Sequence, residues 1–129
     1  MLLTICFSII GFSQISGQSI FNKWEQLSAY HEVMAKTFHP AEEGNVEPIK
    51  NRSGELVALS KTLLKSDIPA EFASAEMEEI LKALRQEGKV LHKKIKKGKA
   101  SDEEIKQGIF ALHDVFHRIV GLCKKDEHI

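Results

Sequence analysis

His113 and His117 stand one helical turn apart in LHDVFH, and His31 and His39 bracket a second helical stretch in YHEVMAKTFHP. Residues four apart on a helix project from one face with Cβ atoms roughly 6 Å apart, so the first pair could hold one metal ion without bending the backbone. Imidazole is a suitable ligand for Zn²⁺, Cu²⁺ or Ni²⁺. The remaining histidines, His92 and His128, read as solvated.

The elements that must position these rings are helical, because apolar residues recur at spacings of three and four and nowhere alternate over a useful stretch. A first helix from about Ile20 to Phe38 carries the seam Ile20, Trp24, Leu27, His31, Met34 and Phe38, and His39-Pro40 ends it. A second, from about Val46 to Lys65, has the seam Ile49, Ser53, Leu56, Ser60 and Leu63, with Glu47 and Pro48 in its first turn. A third is expected over Ala70 to Lys97, with Met77, Ile80, Leu84, Leu91 and Ile95 inward, a weak point at Gly88 and a stop at Gly98. Ser101 with Glu104 forms a capping box for the last helix, whose seam is Ile105, Ile109, Leu112, Phe116, Ile119 and Cys123. Short connections of about 3–7 residues make neighbours antiparallel, so the expected fold is all-α, an up-down-up-down antiparallel four-helix bundle.

In that topology the first and last helices are adjacent and antiparallel. With the region of His39 level with Asp102, a rise of about 1.5 Å per residue sets His31 about 12 Å higher, beside residues 110–114. His31, His113 and His117 are then expected to form a three-histidine metal site, with water or Glu32 as a fourth ligand. His39 falls at another level. It either joins Glu42, Glu43, Glu47, Asp102 or Glu103 in a second, more exposed site, or caps the end of its helix.

Residues 1–19 carry no charge and open on an apolar run from Met1 to Phe12. That run is shorter than the about 20 residues a spanning helix needs and matches the about 7–15 of a signal h-region. A signal peptide is therefore expected over residues 1–18, followed by one domain over 19–129 that is periplasmic or secreted, with no stable membrane insertion once the leader is removed. Ile5 before Cys6 argues against a lipoprotein site. The 18 basic and 18 acidic side chains balance, so no net field attracts nucleic acid. The basic run Lys93-Lys94-Ile95-Lys96-Lys97 complements a helix C-terminus. With Cys123 alone in the domain, no internal disulfide framework exists and the apolar core must supply stability.

A small exported helical bundle with a histidine low in its last helix and a methionine, Met34, in its first resembles the four-helix cytochromes of the c-prime and b types. The covalent-haem pattern Cys-x-x-Cys-His is absent, since GLCKK holds the single cysteine of the expected mature domain, which excludes c-prime chemistry. A non-covalent haem b, as the b-type resemblance implies, would take Met34 or His31 on one side and His113 or His117 on the other. The segments FHPAEEGN and LHDVFH, with a tryptophan-led first helix, also resemble small exported proteins of Bacteroidetes-like bacteria. No nucleophile triad, glycine-rich phosphate loop or HExxH pattern emerges, so an enzyme is not expected. The expectations are a metal-binding bundle for sensing, buffering or delivery, then a haem b electron carrier, then a protein-interaction module with no ligand.

Overall fold

The computed structural model describes residues 16–125, and side chains from Ile20 to Lys124. The expected leader over residues 1–18 lies outside the described residues, save 16–18, which open the first helix. Five helices and no strand occur among the described residues: α1 (Ser16–Lys23), α2 (Glu25–Glu42), α3 (Glu47–Lys65), α4 (Ala75–Lys97) and α5 (Asp102–Lys125). The chain is all-α. α2 packs on α3, α3 on α4, α4 on α5, and α5 returns to α2 and α1.

The expected first helix is divided at Trp24, whose backbone leaves the helical region (φ −132°, ψ 89°). Its side chain supplies the reason. The indole is 1% exposed, donates from Nε1 to Ser66 Oγ at 3.0 Å and stacks over Phe72. Ser66 in turn donates to the Leu63 carbonyl at 2.6 Å, so the break is tied to the closing turn of α3.

At its other end α2 continues through Pro40 to Glu42 instead of stopping at Phe38. Proline removes the donor that the Lys36 carbonyl would otherwise accept from. The Pro40 carbonyl accepts from Glu43 and Asn45 at 3.1 and 2.9 Å, and Gly44 turns the chain with φ 89°. The core stripe of α2 is also rotated from the expected one. Leu27, Tyr30, Met34, Thr37 and Ala41 are buried with Val33, whereas His31 is exposed and Phe38 half-buried. Thr37 can lie inside because its hydroxyl donates to the carbonyls of Val33 and Met34 at 2.9 and 3.1 Å. The Tyr30 hydroxyl has no partner among the described residues, and burial, with Glu87 nearby, pushes its pKa up.

The expected seams of α3 and α5 are buried residue for residue. α4 starts at Ala75 instead of Ala70, since turns over 69–73 place Phe72 in the core and Ser74 caps the helix by accepting from the Met77 amide at 2.9 Å. Gly88 does not interrupt it. Gly98 (φ 67°) ends it, and the Ser101–Glu104 box opens α5 with the Glu104 amide donating to Ser101 Oγ at 3.1 Å. His92 is not solvated: it is half-buried and shares a 2.7 Å hydrogen bond with Ser53 across α3 and α4.

α4 and α5 approach closely at Gly108, where an added Cβ would stand 2.5 Å from Leu91 Cδ1. Leu91 Cδ1 is the end of a flexible side chain that borders an open groove and can swing away at low cost, so the helix-propensity gain of about 1 kcal/mol exceeds the repacking cost. Gly108→Ala is therefore expected to raise the urea midpoint, and to raise it further in a Leu91→Ala background, where nothing has to move; an equal effect in both backgrounds would contradict this contact.

Candidate functional site

α2 and α5 meet along a groove of about 180 Å³ on the outer side of their contact, and His31, His39, His113 and His117 all line it. Phe21 of α1 closes one end, and Met34, 1% exposed, forms part of the floor. The histidines reach this groove because 31, 34, 35 and 38 share one flank of α2, while 113, 116, 117 and 120 share the facing flank of α5.

Aromatic stacking fixes the rings. His113 lies flat on Phe38 with centroids 3.6 Å apart and planes at 1°, and Phe38 meets Phe110 edge-on at 5.4 Å. His117 stands edge-to-face to His113, with centroids 4.6 Å apart and planes at 70°. His31 is stacked between Phe21 at 4.3 Å and Phe116 at 5.7 Å. His39 pairs through Nδ1 with Glu42 Oε1 at 3.0 Å.

This arrangement differs from the sequence expectation in its register. Phe38, not His31, lies opposite His113, and His31 lies opposite Phe116. The register is displaced along α5, by about one turn at His31 and nearly two at Phe38, and α2 itself runs one turn further than expected, to Glu42. The same shift brings His39 into the groove instead of leaving it at a separate level. Glu32, expected as a fourth ligand, does not line the groove and is held by Lys36 at 2.9 Å. Asp102, a candidate neighbour of His39, is paired with Lys50 at 2.8 Å. Among the described residues no three His, Cys, Asp or Glu side chains converge as a ready metal cage. The groove offers an imidazole pair with two further imidazoles along its walls. The ring walls Phe21, Phe38 and Phe116 were not legible as parts of a site, although Phe38 and Phe116 each immediately precede a groove histidine.

Burial, and after it the repulsion of His39, lowers the His31 pKa below the ordinary 6.5. Burial also lowers His113, with His117 the next cause, against opposing pulls from Asp114 and Glu42. Both rings favour the neutral form that ligates metals. The unfolded chain then takes up protons before the folded one as pH falls through 6.5, so this contribution to stability is complete above 6.5 and declines below it. Urea midpoints should fall between pH 7.5 and 5, and the drop should shrink in a His31→Gln, His113→Gln variant. An unchanged pH dependence in that variant would contradict the assignment.

Comparison of the chain with family models, with curated proteins and with solved structures finds no match.

Proposed function

We propose that this is an exported, up-down-up-down antiparallel four-helix bundle that binds a transition-metal ion at His113 and His117, with His31 and His39 along the same groove, for sensing, buffering or delivery. It is read as a binding protein and not an enzyme. The topology draws support from four cross-helix contacts, each joining the early part of one helix to the late part of its neighbour: Trp24 with Ser66, Ser53 with His92, Gly108 with Leu91, and Phe38 with Phe110. α1 joins α2 directly at Trp24, whose amide closes the last turn of α1 on the Ile20 carbonyl and whose carbonyl accepts from the Ser28 amide in the first turn of α2. The export reading rests on the uncharged apolar start of the chain.

The spacing of the His113 and His117 rings, 4.6 Å between centroids, carries the metal reading. With metal–nitrogen bonds of about 2.0–2.1 Å, two imidazoles on one tetrahedral ion have centroids roughly 5.2 Å apart, so the pair shares an ion once side-chain rotation turns one nitrogen of each ring toward a common point. The groove's volume of about 180 Å³ favours an ion over a haem, since organic ligand sites run to about 300–1,000 Å³. Flat stacking of Phe38 on His113 also fills the space that a macrocycle would take.

Titration with Zn²⁺ followed by imidazole ¹⁵N NMR tests this. The His113 and His117 resonances are expected to move first and saturate near one equivalent, with His92 unmoved. No change at His113 and His117 would overturn the reading.

A further inference from the structure

Resting on that reading, we propose that the groove is built for monovalent copper, with the Met34 thioether completing the His113 and His117 pair. Its donor set points this way. A structural or catalytic zinc site draws three or four ligands from histidine, cysteine and carboxylates. Among the described residues no third such group converges with the pair. Of the α2 carboxylates, Glu42 is held by His39 at the groove wall and Glu32 by Lys36.

Met34 supplies a different kind of donor in the same groove. Its side chain lies one turn from both His31 and Phe38 on the flank of α2 that faces the imidazole pair. At 1% exposure the sulfur is shielded from water, while its residue still lines the cavity. Thioether is a soft ligand that selects Cu(I), an ion satisfied by two or three donors. The aromatic walls add to this preference. A low-charge ion costs less to bring against Phe38 and Phe116 than a divalent one, which would shed more hydration in an apolar groove. Two imidazoles and a thioether thus leave no donor missing for Cu(I), whereas Zn²⁺ would have to complete its shell with water.

The test is anaerobic titration of the protein with Cu(I) alone, in competition with a colorimetric Cu(I) chelator, beside a Zn²⁺ titration. Met34→Leu conserves volume, and circular dichroism checks its fold. The wild type is expected to bind one Cu(I), and Met34→Leu to bind it at least tenfold more weakly with Zn²⁺ affinity unchanged. Equal Cu(I) affinity in the two proteins overturns the thioether assignment while leaving the imidazole site standing. Failure of the wild type to bind Cu(I), Zn²⁺, Cu²⁺ or Ni²⁺ overturns the metal reading itself. Should Met34→Leu not fold, copper-edge X-ray absorption on selenomethionine-labelled native sequence decides: a selenium scatterer in the copper shell is expected, and a shell of nitrogen and oxygen alone overturns the proposal. The selenium label also separates Met34 from the buried sulfur of Cys123.

Discussion

Replacing both His113 and His117 by alanine is expected to abolish stoichiometric metal uptake and leave the far-ultraviolet circular dichroism unchanged. His117 is exposed and His113 only half-buried, so neither carries the core. The apolar seam of α5 beneath them, Ile109, Leu112, Phe116 and Ile119, stays intact. Alanine is also the best helix former, and its propensity offsets part of the lost stacking on Phe38. Each single substitution removes half of a chelate and should weaken binding by at least about 100-fold, more than the about 10–100-fold typical of groups that merely orient a ligand. His31→Ala and His39→Ala should have smaller effects, because His31 is held between Phe21 and Phe116 and His39 is paired with Glu42. Equilibrium dialysis with metal analysis measures all four. Full uptake by the double variant would remove the site.

The largest loss of stability is expected from Trp24→Ala, at about 3–5 kcal/mol out of a total of about 5–15 kcal/mol for a domain of this kind. The indole fills the junction of α1, α2, α3 and the turn before α4, and its N–H is committed to Ser66. Truncation would leave a cavity beside Phe72 and release the Ser66 contact that ties α1 and α2 to the end of α3. Trp24→Phe keeps most of the apolar contact but loses the hydrogen bond, and should cost about 0.5–1.5 kcal/mol plus a packing defect. Urea denaturation gives both values. A loss below about 1 kcal/mol for the alanine variant would show that the junction does not depend on the indole. The effect also bears on the groove, since α1 brings Phe21 against His31.

How much of this was legible in the sequence depended on how one-sided each helix is. α3 and α5 each have one stripe whose expected members are all buried, and α5 buries Val115 beside it. α2 has two overlapping stripes that share Leu27 and Met34. The one through His31 and Phe38 is the more apolar in appearance, but Tyr30 and Thr37 lie inside because a phenol ring and a back-bonded hydroxyl can be buried. That choice exposed the imidazole of His31 to the groove instead of the core.

Helix ends governed the remaining differences. Capping residues with a strong local preference, Ser101, Glu104 and Gly98, were legible in advance. Pro40 read as a stop, yet its carbonyl closes the last turn through Glu43 and Asn45, and the register between α2 and α5 is displaced from the expected one. Grouping of His31, His113 and His117 was therefore visible from their placement on two facing helices, whereas the arrival of His39 in the same groove and the partners of all four along it were not. Stacking on Phe38 and Phe116, and the Ser53–His92 contact, depend on side-chain placement across helices that periodicity does not encode.

Metal content decides whether the histidine groove is a binding site. Protein purified without an affinity tag, incubated in separate samples with reduced copper and with zinc, and dialysed at pH 7.5 should retain about one equivalent of metal, lost in the His113→Ala, His117→Ala variant. A wild-type protein that retains none, with its helices intact, would contradict the account.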